Sequence, residues 1–282
     1  MTLKRGAVVF LALLCLSGGA AEWRNLDEEH HLGGRMASGG YLLGKVVLVD
    51  RWGAKCPPCC ALLPRMEELW RTFKGKQFVL LGGHCAGWGS AAQVKKLIAA
   101  NKLTYPVYED AGLAENEPAF ESIPFLYVLD ATDRVIYAGH DERLAREAIV
   151  NALTDLDAPR SLAQWKRFLD FELENLPGRA YLRMNEFKKS FPKEAQEYAE
   201  KFRKLAANPE ARELAAVVDF AKKAKDTKPI GPKDGAKKQK LRKLIETVLS
   251  KGKDLRGSAD PRVAQEAKNA IADLTWKLAT LK

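Results

Sequence analysis

Hydrophobic positions along this chain follow two rhythms, and the change between them falls near Asp157-Ala158-Pro159. From Tyr41 to about Leu156, short apolar runs alternate with amphipathic stretches. Leu42 to Asp50, built on Val46-Val47-Leu48-Val49, predicts a buried strand. Pro57 to Phe73 places Leu62, Leu63, Met66, Leu69, Trp70 and Phe73 at helical spacing, and Phe78 to Gly82 is a second strand. Ala91 to Asn101 reads as helix, Pro124 to Asp130 and Arg134 to Ala138 as strands joined by a Thr-Asp turn, and Glu142 to Leu156 as a closing helix. Strands interleaved with helices predict an α/β sheet with an antiparallel hairpin near its end. Functional residues are then expected beyond the C-terminal ends of the parallel strands.

Beyond the break the pattern is helical throughout. Leu162, Trp165, Phe168, Leu169, Leu173 and Leu176 form one apolar stripe, Ala195, Tyr198, Phe202 and Leu205 another, and Val263, Ala267, Ile271, Leu274 and Leu278 a third. Asn208-Pro209 and Asp260-Pro261 are helix starts, each a capping side chain followed by proline. They fit a short helical repeat or a bundle equally well. Asp226 to Gly235, with two prolines and two glycines, predicts a loop.

The first residues follow a different pattern again. Lys4 and Arg5 precede an apolar run from Ala7 to Leu16, and small residues from Ser17 to Ala21 follow. This is the pattern of a secretory leader cut near Ala20 or Ala21, and the run is too short to span a bilayer, which takes about 20 apolar residues. Ala12-Leu13-Leu14 before Cys15 lacks the small residue expected beside a lipidated cysteine. The chain therefore divides into a leader (1–21), an N-terminal segment (22–40), an α/β domain (41–157) and an all-helical domain (158–282). The expected location is periplasmic or extracellular.

Charge sharpens the division. The net charge of +10 is concentrated from Arg160 to the end, where 29 Lys and Arg face 17 Asp and Glu. Lys222, Lys223, Lys237 and Lys238 belong to this basic region and are candidates for contact with an anionic surface, the alternative being an ordinary solvated face. Nucleic acid is not an expected partner of an exported protein.

Chemistry is concentrated at Cys56-Pro57-Pro58-Cys59, where the first strand gives way to a helix. Two thiols three residues apart at a helix start can close a small disulfide ring. The first also meets the unpaired amides and positive dipole end of the helix, which stabilise its thiolate, the species that attacks disulfides. Pro57 suits the first helical turn. Without the leader four cysteines remain, Cys56, Cys59, Cys60 and Cys85, too few to staple so long a chain but clustered enough for chemistry.

With Asp50, Trp52, Cys56-Pro57-Pro58-Cys59, Pro64, Ile123-Pro124 and Gly139 in this order, residues 41–157 resemble the thioredoxin-like superfamily, and within it the exported TlpA/ResA-type thiol-disulfide oxidoreductases. The resemblance implies a thioredoxin fold, a central mixed sheet flanked by helices, followed here by the all-α domain. It implies an enzyme that exchanges disulfides with protein substrates and a redox partner, needing no cofactor beyond its own Cys56–Cys59 pair. Cys56 would be the attacking thiol and Cys59 the resolving one. Asp50 would sit beneath Cys59 and trade a proton with it. Ile123-Pro124 would form a cis bond facing the dithiol, leaving the Ile123 backbone to pair with an extended substrate. Trp52 would pack beside the site and Pro64 would kink the helix. Two departures stand out: Lys55 occupies a position usually aromatic in thioredoxins, and Leu62 one where ResA-type proteins carry a glutamate.

Cys60 and Cys85 lie outside that pattern. Cys56 and Cys60 share the spacing of Sco-type copper chaperones, so copper handling or partner binding on the same scaffold is the alternative reading; no histidine near Ile123-Pro124 supports it. Cys85 follows the second strand beside His84 and is either a third redox thiol or a small buried hydrophobe. His30, His31 and His140 have no partners at metal-ligand spacing and read as surface or capping residues.

Overall fold

The computed structural model describes residues 20–74, 76–159, 161–226 and 234–281. The apolar run of the leader and most of the loop expected from Asp226 to Gly235 lie outside the described residues. Among the described residues, no helix is long and apolar enough to cross a membrane.

The α/β half is organised around β3 (Val46–Trp52), all seven residues of which are buried. It pairs in parallel with β4 (Phe78–His84) on one side and antiparallel with β7 (Phe125–Leu129) on the other. β5 (Val107–Glu109), β8 (Val135–Gly139) and β2 (His31–Gly33) complete a six-stranded sheet in the order β2-β5-β4-β3-β7-β8. A separate small ribbon joins β1 (Trp23–Arg24) to β6 (Gly112–Leu113).

The pleat sorts β3 into two faces. Val46, Leu48 and Trp52 pack with α2 (Pro57–Phe73), α3 (Ala91–Asn101) and α4 (Glu142–Asp157). Val47 and Val49 pack on the other face with Tyr41, Leu42, Tyr108 and Tyr127. α2 is tied to the chain after α3 by Glu67, which accepts from the Thr104 amide and hydroxyl at 2.7 Å each. α2 continues through Pro64.

The strand expected from Leu42 begins four residues later. Gly39–Leu42 instead forms a short helical turn, α1, capped by Ser38, and Gly44 at φ +70° turns the chain into β3. At its far end β3 runs past Asp50, because Arg51 and Trp52 still find Gly83 and His84 in register. The expected hairpin forms over Phe125–Leu129 and Val135–Gly139, with each end within one residue of the expected bounds. The short strands β1, β2, β5 and β6 had no distinct sequence pattern.

The helical half is a bundle of α5 (Leu162–Asn175), α6 (Pro177–Ser190), a 3-10 segment (Glu194–Tyr198), α7 (Ala199–Ala207), α8 (Pro209–Asp226), α9 (Gly235–Leu255) and α10 (Pro261–Thr280). Both predicted starts are present. Asn208 accepts from the Ala211 amide at 3.2 Å and Asp260 from the Arg262 amide at 2.9 Å. Lys222, Lys223 and Lys237 pair with Asp157, Asp219 and Asp234, so part of the basic region is answered within the chain.

The two halves meet at the N-terminal ends of β3 and β4. Tyr41 donates to Asp273 of α10 at 3.0 Å, and Asn269 donates to the Gly40 carbonyl at 2.7 Å. Glu266 of α10, buried, accepts from the Gly178 and Arg179 amides at 2.8 and 2.9 Å. The residue before α6, Leu176, has no capping side chain, so α10 supplies the cap across the bundle. Arg179 then donates to the Gly44 carbonyl at 2.5 Å, joining the cap to the α/β half.

Glu266→Ala should leave those two amides, the first of them buried, without their cap and destabilise the protein by about 1–3 kcal/mol, read as a lower urea midpoint. Glu266→Gln, which keeps an accepting oxygen, should lose less.

Candidate active site

The dithiol stands where β3 ends and α2 begins. Cys56 is the N-cap residue of α2 in extended backbone, and its Sγ accepts from the Cys59 amide at 3.3 Å. The sulfur therefore sits among the first amides of the helix, an arrangement that favours a thiolate. Cys56 and Cys59 are joined by a disulfide, while Cys60 and Cys85 are free thiols. Ile123-Pro124 is cis, and the Ile123 carbonyl lies 3.6 Å from Cys56 Sγ. His140 Nδ1 is 2.7 Å from the Pro124 carbonyl, so this exposed histidine caps the strand that carries the cis bond.

Asp50 shares the pleat face of Val46, Leu48 and Trp52, the face that α2 covers. It is 1% exposed and neither carboxylate oxygen has a hydrogen-bond partner. Burial pushes its carboxyl up from 3.8 to about 7, with the positive Arg51 opposing the shift. A carboxyl poised near neutrality can both take and return a proton. Arg51 points to the opposite face, where it pairs with Asp110 and donates to the Ala111 carbonyl at 2.6 Å.

The other two cysteines separate in space. Cys60 is half-buried, with its sulfur 3.6 Å from the Ala54 carbonyl, and burial raises its thiol above the ordinary value. Cys85 follows β4 and donates its amide to the Trp52 carbonyl at 2.8 Å. Burial raises its thiol, with Arg51 opposing. The charges of Asp110, Glu117 and Asp50 add to the upward shift. Among the described residues, no group of three His, Cys, Asp or Glu stands together as a metal site.

Two neighbours had no assigned part in the sequence reading. His84 Nε2 accepts from the Ala54 amide at 3.2 Å, and its ring meets Trp52 edge-on at 5.2 Å. Burial lowers its pKa, keeping the imidazole neutral and able to accept. Trp88 is 46% exposed, yet its backbone is fixed: its carbonyl accepts from the Lys55 amide at 2.8 Å. A Cβ on Gly53 would stand 2.5 Å from Trp88 Cβ and 3.0 Å from Ile123 Cδ1. Trp88 and Ile123 therefore close over Gly53 beside the nucleophile. A lone tryptophan in a glycine-rich loop gives no periodic signal, which is why the sequence did not single it out.

Asp50 also makes stability depend on pH. Its folded-state value lies above the unfolded one, so its contribution is full below about 4 and is lost as pH rises through about 7. Asp50→Asn should accordingly stabilise the protein at pH 8 by up to ~4 kcal/mol and change it little at pH 4, as measured by urea unfolding at both values.

The chain is similar to several known proteins over part of its length. No family model matches the chain. A curated relative, the thioredoxin-like protein YneN of Bacillus subtilis (strain 168), is 30% identical over 87 residues, covering 31% of this chain. The chain spans about half (51%) of that relative's length. Similar solved structures include a thioredoxin-family thiol:disulfide interchange protein from Chlorobium tepidum TLS, 22% identical, covering 44% of this chain and 90% of that one with a TM-score of 0.38. A thiol-disulfide isomerase from Corynebacterium glutamicum is 21% identical over 48% of this chain and 97% of its own, TM-score 0.39. StoA from Bacillus subtilis is 22% identical over 38% and 83%, TM-score 0.32. With its dithiol at the start of α2, a cis-proline opposite and the mixed sheet order between them, the α/β half of this chain has a thioredoxin-like fold and is similar over 87 residues to a thioredoxin-like protein.

Proposed function

We propose that the chain is an exported thiol-disulfide oxidoreductase acting on protein substrates. The observation that carries this reading is the Cys56–Cys59 disulfide at the start of α2, facing the cis Ile123-Pro124 bond, with unpartnered Asp50 on the α2 side of the sheet. In the reducing direction, the Cys56 thiolate attacks a substrate disulfide. One Cys56–substrate disulfide forms and the substrate's other sulfur leaves as a thiolate. Cys59 then passes its proton to the Asp50 carboxylate and attacks Cys56 Sγ. The internal disulfide forms, the second substrate thiolate leaves, and the substrate has gained two electrons that the dithiol has lost. The same steps in reverse oxidise a substrate dithiol. No other cofactor enters either direction.

Trp88 and Ile123 give this chemistry an apolar rim. A substrate segment reaching Cys56 in extended form crosses that rim, and the Ile123 backbone offers it strand-like pairing. Cys85 is read as core packing rather than a third redox thiol, because it is buried and that burial raises its thiol above the ordinary value. Cys60 is nearer to Cys56 in sequence but directs its sulfur at the Gly53 and Ala54 carbonyls.

Cys56→Ser should abolish disulfide exchange with a protein substrate such as insulin. Cys59→Ser should instead accumulate mixed disulfides, since attack survives and resolution does not. Adducts on the Cys56 variant but not on the Cys59 variant would reverse the roles. Trp88→Ala should reduce kcat/KM for insulin about tenfold through KM, consistent with the loss of one aromatic contact, and Trp88→Phe should recover most of it.

A further inference from the structure

The small residues from Ser17 to Ala21 leave two places for a leader to be cut, after Ala20 or after Ala21. Each has small residues one and three positions before the cut: Ala20 with Gly18, and Ala21 with Gly19. The folded structure distinguishes them. The Ala21 amide donates to Asp133 Oδ2 at 2.9 Å, across the turn between β7 and β8. Asp133 Oδ1 is buried and has no partner. Ala20 is exposed, whereas Ala21 packs against the core on the second face of the sheet. From Glu22 onward the segment is held by backbone pairing, beginning with the Ala114 amide on the Glu22 carbonyl at 2.9 Å.

We propose that the mature chain begins at Ala21 and that its new α-ammonium forms an ion pair with Asp133. This inference rests on reading the first residues as an export leader and is independent of the dithiol chemistry. The covalent step is hydrolysis of the Ala20–Ala21 peptide bond by an export-linked endopeptidase that accepts small residues before the cut. Water is consumed, Ala20 keeps the new carboxylate, and Ala21 gains the ammonium.

Three features of the surroundings favour a positive charge at this position. An ammonium carries three donors where the amide carries one, so the partnerless Oδ1 gains a donor beside Oδ2. The second carboxylate nearby, Asp130, already spends its oxygens on Thr132, Arg134 and Arg167. Burial pushes the Asp133 carboxyl up to about 6, with Asp130 adding to the shift, so a carboxylate there lacks charge compensation from the rest of the fold. A cut one residue later would remove Ala21 and leave the group without either the amide or the ammonium.

The full-length chain, produced in an exporting bacterium and recovered from the exported fraction, tests the site of the cut by intact mass and N-terminal sequencing. A chain starting at Ala21 supports the proposal, and one starting at Glu22 or retaining the leader overturns it. The ion pair is tested separately on the chain starting at Ala21, with its α-amine free or acetylated, in the parent and in Asp133→Asn. Acetylation should lower the folding equilibrium constant about tenfold or more in the parent, as loss of a charged hydrogen bond does, and have little effect in Asp133→Asn. Equal losses in both backgrounds would overturn the pairing. Disulfide exchange by the same preparations reports on the dithiol reading independently.

Discussion

The central constraint in this protein is the burial of β3 along its whole length. A strand paired on both edges and covered on both faces admits only apolar side chains, unless a polar one is neutral or paired. β3 meets the rule in its first half with Val46, Val47, Leu48 and Val49, and departs from it at Asp50 and Arg51. Arg51 is compensated by Asp110, Glu117 and the Ala111 carbonyl on its own face. Asp50 has no such compensation and relieves the cost by holding a proton near neutral pH. This uncompensated carboxyl stands on the sheet face covered by α2, the helix whose start bears the dithiol.

The two ends of the same strand serve different halves of the molecule. Its N-terminal end, with Lys45 and the Gly44 turn, abuts α6 and α10 through Arg179 and Asp273. Its C-terminal end carries the dithiol loop. Seven residues of strand separate these ends by roughly 23 Å. The helical half therefore buttresses the sheet from below and leaves the approach to Cys56 to the loops bearing Trp88 and Ile123.

Sequence reading recovered the elements whose patterns are strong and local. Pro57–Phe73 and Ala91–Asn101 were read with their actual limits because a cap or proline opens each and apolar spacing fills it. The start of β3 was misplaced because Leu42 is as apolar as a strand residue and only the φ of Gly44 separates it from the sheet. The dithiol, Asp50 and the cis-proline were legible as motif residues in order. Trp88, His84 and the Asp133–Ala21 contact were not, since each depends on residues brought together across the fold: Gly53, Ala54 and the β7–β8 turn. The cap that α10 lends to α6 is invisible for the same reason, with 88 residues between Gly178 and Glu266.

Gly53 has a consequence for how this protein could vary. Its missing side chain is the space in which Trp88 and Ile123 converge, so a methyl group at that position would push on both loops at once. The residues flanking the sulfur are thus geared together through a single bare backbone carbon. Change at the rim can proceed by swapping Trp88 or Ile123 for another side chain of similar reach, while position 53 acts as a fixed pivot, and any lineage or redesign that alters it must rebuild both walls of the approach together.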